Sequence, residues 1–408
     1  MLRVPSTLVL VMFLGLGACA QLGRREPRLE LRPVTWASLS GWAEDDAAQA
    51  LQAFRRSCAK IADLPEETPM GGARNRAETL YFGTAADWRS ACTAAGGAAA
   101  DTADAARGLF ESEFVPFAAS NHGARKGLFT GYYEAEARGS IARQGPYQTP
   151  ILKRPANLVS VDLGQFRERL RGLSIAGKVE DGRLVPYATR AEIESGALDP
   201  AAPTLVFLDD PVDAFFIHVQ GSGRIKLDTG GEMRIGYDGQ NGREYTSIGR
   251  VLLDEGALEK GKVSMQTIRA WLASNPDQLK RVLDANASYV FFKALPIDDP
   301  ELGPPGAEEV VLTPGRSLAV DRRFHALGVP MWLETTLPSD DAGTPGAPYR
   351  RLMIAQDTGG AIRGPVRGDV FFGFGEEAAR LAGWMKQEGR LFVLLPHALA
   401  ERLNPRRN

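Results

Sequence analysis

The 408-residue chain is poor in the side chains that build metal centres, with three cysteines and four histidines. Zinc ribbons and Cys/His clusters need more ligands at closer spacing, and His122, His218, His325 and His397 lie far apart, so no metal is expected. Charge of one sign is also missing. Lys and Arg total 48 against 50 Asp and Glu, for a net charge of −2, and no basic block stands out. That balance argues against the phosphate-neutralising surface of a nucleic-acid binder. No apolar run reaches the ~20 residues that a membrane-spanning helix needs. H-E-x-x-H is absent. Ser222 lies in Gln220-Gly221-Ser222-Gly223, which lacks the first glycine of a G-x-S-x-G elbow. It reads as a tight turn exposing backbone amides.

What is present is an ordinary globular mixture, 44% hydrophobic and 24% charged, enough to bury a core. The length suggests two or three domains. The 44 glycines and 26 prolines favour many turns and a mainly β architecture with helices.

The first nineteen residues, MLRVPSTLVLVMFLGLGAC, place one Arg before an apolar run from Leu8 to Ala18. This has the form of a secretory signal, read as residues 1–18. Leu16-Gly17-Ala18-Cys19 resembles a bacterial lipobox, in which the cysteine is acylated and becomes the first mature residue. An uncleaved anchor or an ordinary signal peptide is the alternative. With Cys19 lipidated, Cys58 and Cys92 remain, and an even pair in an oxidising compartment suggests a disulfide. The alternative is two small buried apolar residues.

Residues 19–35 are polar and Arg-rich and read as a tether. A helix follows, with Ser40 as cap and Ala47, Leu51, Phe54, Cys58 and Ile61 at helical spacing. A second holds Trp88 and Cys92 behind Thr84 and Asp87. An Ala/Gly linker is expected at 94–101, then a third helix from Ala103 to Phe114. From Leu128 onward strands are predicted at 128–133, 204–208 and 213–220, with turn signals at Asp238-Gly239 and Asn241-Gly242. Helices are predicted at Ser264–Ala273 and, capped by Asn275, at Pro276–Asp284. Strands return at 288–293, 309–313, 316–321, 330–335, 349–357, 368–373 and 390–395, with one amphipathic helix from Glu376 to Glu388.

Gly373-Phe374-Gly375-Glu376-Glu377-Ala378 matches G-x-G-x-x-A between a strand and a helix, the context of a dinucleotide fingerprint. Two glutamates at the helix start would repel a pyrophosphate, and the next strand ends in Pro396 with no acid for a ribose. These glycines read as a strand-to-helix turn, and no cofactor is expected. Carboxylates remain. Asp321, Asp357 and Asp369 each fall at or near a predicted strand end among glycines and apolar residues. An aspartate half-buried in a cleft has a raised pKa and can donate a proton near neutral pH. Each could instead cap a turn, and the residues by themselves leave that choice open.

At these positions the chain resembles a family. Leu312-Thr313-Pro314-Gly315-Arg316-Ser317-Leu318-Ala319-Val320-Asp321, Gly328-Val329-Pro330, Asp357-Thr358-Gly359-Gly360-Ala361-Ile362 and Gly368-Asp369-Val370-Phe371-Phe372-Gly373 resemble the three-aspartate domain of the membrane-bound lytic murein transglycosylase A family. Thr130-Gly131-Tyr132-Tyr133-Glu134, Gln220-Gly221-Ser222-Gly223, Gly236-Tyr237-Asp238-Gly239-Gln240-Asn241-Gly242 and Tyr245-Thr246-Ser247-Ile248-Gly249 match it upstream. Ala135 departs from it, at a place where proline is expected.

The resemblance implies a double-psi β-barrel domain formed by 36–134 together with 286–408, N-terminal helices included. A smaller β domain, 135–285, would be inserted, with the substrate groove between the two. It implies cleavage of the MurNAc-β-1,4-GlcNAc bond of peptidoglycan with formation of a 1,6-anhydro ring. Asp369 matches the catalytic aspartate, with Asp357 and Asp321 supporting it. Thr130, Tyr132, Tyr133, Gln220, Ser222, Tyr237 and Asp238 would be substrate-binding. The partners would be glycan strands and, through a lipid on Cys19, a membrane. Ala20 and Gln21 after the cysteine, in place of Asp, suggest the outer membrane facing the periplasm. A non-catalytic, expansin-like wall-polysaccharide-binding protein and a hydrolytic glycosidase are the alternatives. Retention of three aspartates weighs against the first.

Cys19→Ala should leave the protein soluble or held as a precursor. Mature Cys19→Ala protein that still fractionates with membranes would exclude lipidation.

Overall fold

The computed structural model describes residues 26–403 apart from 76, 78, 98–101, 168–169, 171–173, 199–202 and 340–345. The signal segment and Cys19 lie outside the described residues. Among those described, no helix is long and apolar enough to cross a membrane.

The amino-terminal part comprises β1 (Leu29–Pro33), α1 (Ala47–Ala62), α2 (Arg89–Gly97), α3 (Ala103–Glu113), β2 (Phe114–Asn121) and β3 (Gly127–Ser140). α1 buries the predicted stripe of Ala47, Leu51, Phe54, Cys58 and Ile61. Its cap is Asp46 and not Ser40, because a short 3-10 turn at Trp42–Glu44 intervenes. Thr84 and Asp87 cap each other reciprocally ahead of α2, which runs on into the expected linker as far as Gly97. A disulfide joins Cys58 on α1 to Cys92 on α2. Residues 29–33 are not tether. They form an edge strand paired antiparallel with β2, and the burial of Leu29 holds it there.

The middle part comprises β4 (Thr149–Leu152), β5 (Val159–Asp162), β6 (Ser174–Glu180), β7 (Arg183–Pro186), α4 (Arg190–Glu194), β8 (Thr204–Leu208), α5 (Pro211–Gln220), β9 (Ser222–Leu227), β10 (Glu232–Gln240), α6 (Ile248–Asp254), α7 (Met265–Ser274), α8 (Leu279–Asp284) and β11 (Val290–Leu295). The strand predicted at 213–220 is instead helix α5. Asp210 caps it and Pro211 occupies its first turn. A continuous apolar run such as Ala214–Val219 has no periodicity to separate helix from strand, so the cap decides. Asp238-Gly239 makes a bulge inside β10 and no hairpin. The β9–β10 hairpin turns at Asp228–Gly231.

The carboxyl-terminal part comprises β12 (Ser317–Val320), β13 (Pro330–Thr336), β14 (Pro348–Asp357), β15 (Arg367–Phe374), α9 (Gly375–Trp384), β16 (Lys386–Pro396) and α10 (His397–Leu403). α9 ends at Trp384, short of the expected Glu388, because 386–388 are drawn into β16 against β3. No strand forms at 309–313. That segment makes one isolated bridge, Pro305 to Val311, and Glu309 has φ 62°.

The six strands β3, β15, β12, β14, β13 and β16 are each hydrogen-bonded to the next, and β16 pairs back to β3. The ring is therefore closed, which removes open sheet edges. β12 with β14 and β15 with β3 are its parallel pairs, consistent with the double-psi β-barrel. Leu318, Met331, Leu333, Ile354, Val370 and Val393 fill the barrel core and merge with the buried faces of α1 and α3.

β3 serves two sheets. Gly127 to Glu134 pairs with β15 and β16 in the barrel, and Ala135 to Gly139 pairs with β9. β9 continues to β10 and β11, so the sheet of the insert runs past residue 285 to Leu295. A second, three-stranded sheet, β5-β6-β7, also belongs to the insert.

At the junction lies a buried ion cluster. Glu134, fully buried, accepts from Arg234 Nε at 2.7 Å and Nη2 at 3.1 Å, and from Arg224 Nη2 at 3.4 Å. The arginines also donate to the carbonyls of Pro300 and Leu302, on the crossing from β11 to β12. Arg224 stacks on Phe374, 3.7 Å from the ring centre. Removing one member of such a cluster strands charge in low dielectric, at a cost of about 3–5 kcal/mol. Glu134→Ala should therefore lower stability by about that amount in denaturant melts. A loss below about 1 kcal/mol, the range of an exposed pair, would show the cluster to be dispensable.

Candidate active site

A groove of about 860 Å³ runs between barrel and insert. Gly131 and Tyr132 of β3, Ala319 of β12, the Asp357–Ile362 segment and Asp369 form the barrel wall. Gln220, Gly221, Tyr237 and Tyr245 contribute from the insert.

Sheet register brings the aspartates together. Asp369 on β15 lies between Ala319 on β12 and Thr130 on β3, and Asp357, ending β14, also registers with Ala319. Residue 131, facing away from the aspartates, must be small because the Phe372 ring and α9 pack against it. A Cβ there would lie 2.5 Å from the Phe372 ring and 3.0 Å from Ala382 Cα on α9.

The two carboxylates have different surroundings. Asp369 Oδ1 accepts from Thr130 Oγ1, which itself accepts from Arg367 Nη2 at 2.8 Å. Burial raises the Asp369 carboxyl above the usual 3.8. Thr130 and Arg367 oppose that rise, and the Asp357 charge adds to it. Asp357 has three donors: Tyr132 OH at 2.8 Å to Oδ2, and the amides of Ala307 at 2.9 Å and Thr358 at 2.8 Å to Oδ1. Burial raises its carboxyl as well, against the pull of those donors. The Tyr132 hydroxyl is held well above its usual pKa by burial and by Asp357, so it remains a donor.

Asp321 does not join them. Its carboxylate meets Arg323 Nη2 at 2.6 Å and the Gly364 amide at 2.7 Å. Burial would raise it, but these partners outweigh burial and hold it below the usual value, as an anion. Its place is at the base of the loop linking the other two aspartates. His325 Nε2 donates to the Pro365 carbonyl at 2.7 Å and Thr358 Oγ1 to the Val320 carbonyl at 2.9 Å in the same anchorage.

Several expected contacts face elsewhere. Tyr133, one residue from Tyr132, points to the opposite side of β3 by the strand period of two, with its hydroxyl on Met265 Sδ at 3.4 Å. Thr130 stands behind Asp369 and does not line the groove. Ser222 opens β9 opposite Gly236 and leaves the groove to Gln220 and Gly221. Gly221, at φ 79°, ends α5 in the left-handed conformation that glycine adopts without strain. Asp238 lies outside the groove, 3.6 Å from Lys293 Nζ. Arg367 was missed. Its signal is its position two residues before Asp369 on one strand, hence on the same face. Arg190, His218 and Ser288 also reach the groove, from separated segments with no shared motif. Among the described residues, no group of three or more His, Cys, Asp or Glu could hold a metal ion.

A closed barrel interrupted by an insert, with two half-buried aspartates where they meet, is the architecture of a 3D domain joined to an MltA-type insert. Residues 316–395 match the 3D domain, and residues 128–293 match the MltA specific insert domain. The crystal structure of MltA from Neisseria gonorrhoeae is similar at TM-score 0.77 and 35% identity, over 90% of this chain and 93% of that one. Escherichia coli MltA with bound chitohexaose is similar at TM-score 0.57 and 32% identity, over 69% of this chain and 76% of that one. Membrane-bound lytic murein transglycosylase A of Escherichia coli K12 is 35% identical over 270 residues, which span 65% of each chain. The chain belongs to the membrane-bound lytic murein transglycosylase A family.

The pKa of Asp369 carries a stability consequence. A carboxyl raised in the folded state contributes stability below its unfolded pKa, near 3.8, and loses it as pH rises through the folded value. Asp369→Asn removes that loss, and its amide oxygen can still accept from Thr130. The variant should melt above the wild type at pH 7, with the difference shrinking toward pH 4. A variant that melts below the wild type at pH 7 would contradict the burial argument.

Proposed function

We propose that this chain cleaves the MurNAc-β-1,4-GlcNAc bond of peptidoglycan and closes a 1,6-anhydro ring on the muramoyl end. The observation that carries the reading is Asp369, a half-buried carboxyl with raised pKa in the wall of the groove. A chitohexaose bound to a related MltA supports a β-1,4-linked glycan as the occupant. Most glycosidases use two carboxylates, one as acid and one as base or nucleophile. Here the C6 hydroxyl of the sugar is a tethered nucleophile with the entropic advantage of intramolecular attack. With Oδ1 engaged by Thr130, the proton of Asp369 sits on Oδ2. It passes to the glycosidic oxygen as the C1–O bond breaks. The resulting carboxylate takes the proton of the C6 hydroxyl as C6–O bonds to C1. Asp357, held by three donors, keeps negative charge beside Asp369 and helps retain its proton.

Tyr132, Gln220 and Tyr237 are the proposed sugar contacts, with ring faces against sugar C–H surfaces and the amide to hydroxyls. Asp321 acts as a positioning residue for the Asp357–Asp369 loop. The protein works at the outer membrane, facing the periplasm, on a lipid carried by Cys19. The word "membrane-bound" in the relatives' names supports attachment.

Asp369→Asn should reduce release of anhydro-muropeptides from sacculi, followed by mass spectrometry, by about 10⁴-fold, because one residue supplies both proton transfers. Asp357→Asn should lose less. Wild-type digests that contain reducing ends in place of anhydro ends would identify a hydrolase and overturn the reading.

A further inference from the structure

Arg190 and His218 line the groove and also a second cavity of about 570 Å³ within the insert, which the bond-breaking chemistry does not use. His218 Nδ1 accepts the Val290 amide at 3.1 Å, so in the neutral ring the proton is on Nε2. Burial, with Arg190 nearby, holds this imidazole well below its usual pKa. The Nε2–H is therefore a donor, and no acceptor for it occurs among the described residues. Arg190 is 2% exposed. Its Nη1 donates to Glu194 at 2.9 Å and its Nη2 to the Ser288 carbonyl at 3.0 Å, which leaves Nε–H without an acceptor. Exposed Arg143 stands on the same cavity. Its Nε donates to Gln148 at 2.9 Å, and among the described residues no carboxylate pairs with it. The charged lining is thus two arginines against one glutamate. Leu152, Ile193, Phe207 and Phe215 supply apolar surface.

Unused donors and excess positive charge beside small apolar surfaces fit a carboxylate on a small apolar body. In peptidoglycan that chemistry belongs to the short peptide borne by the muramoyl lactyl group, with its free carboxylates and alanine methyls. We propose that this cavity is a stem-peptide pocket, which receives the carboxylate-bearing peptide of a muramoyl unit lying in the groove. The proposal rests on the reading of the groove as a murein site.

The test is calorimetric titration of the Asp369→Asn protein with free tetrapeptide, L-Ala-D-Glu-diaminopimelate-D-Ala. Saturable binding is expected. Arg143→Gln in the same background should weaken it about 10-fold, as should amidation of the peptide carboxylates, since each removes a charge-assisted hydrogen bond. Arg143 is exposed, so its loss spares the fold. No saturable binding at millimolar peptide, or binding indifferent to both changes, overturns the pocket. A parallel digest of peptide-bearing and peptide-free strands by the wild type separates the two readings. Anhydro ends without tetrapeptide binding sink the pocket alone, and tetrapeptide binding without anhydro ends sinks the groove assignment alone.

Discussion

The ion cluster of Glu134 with Arg224 and Arg234 sits where β3 leaves one sheet and enters another, and the groove depends on it. β3 pairs with β15 up to Glu134 and with β9 from Ala135. A strand shared in this way could shear at the changeover, because each sheet holds only half of it. The cluster opposes that by binding four segments at one point: β3 through Glu134, β9 and β10 through the arginines, and the β11–β12 crossing through the Pro300 and Leu302 carbonyls. A buried charge cluster contributes little net stability compared with packed apolar residues, but it tolerates only one geometry. Tyr132 lies two residues from Glu134 on the same strand, so the geometry that satisfies the cluster also sets the donor to Asp357.

From the opposite side, buried polar bonds tie the N-terminal helices to the site. Gln356, next to Asp357, donates to the Ala53 carbonyl at 3.0 Å and to Ser57 Oγ at 2.9 Å on α1, and accepts from Ser317 Oγ at 2.6 Å on β12. Arg316 reaches Asp45 at 2.7 Å just ahead of α1. The helices thus do more than cover the barrel. They fix the end of β14, from which Asp357 emerges.

The barrel strands and the aspartate pair were legible because their signals are local: alternating runs bounded by glycine, and acids at strand ends. The failures arose where a neighbour decides. The apolar run 213–220 could be strand or helix, and Asp210 with Pro211 selected helix. Leu29 made an edge strand of an apparent tether through its partner β2. Tyr132 and Tyr133 are alike in sequence, yet the strand period sends only Tyr132 to the groove. Arg190 and His218 arrive from distant segments, and no spacing connects them.

Two aspartates twelve residues apart could both have served as the acid, and their surroundings argue for a division of roles. Burial raises both, so burial alone does not choose. Hydrogen bonds do. Donors stabilise an anion, and Asp357 collects three of them on both oxygens, whereas Asp369 has one, on Oδ1. Like charges close together cannot both persist cheaply, so the carboxyl with fewer donors keeps the proton. In the proposed mechanism this leaves Asp369 as the protonated carboxyl at the groove and Asp357 as the charge beside it. Asp321, bound to Arg323 and to the Gly364 amide, ties down the loop between them. The family motif draws attention to three aspartates together, while the proposed reading divides them into a proton carrier, a charge and an anchor.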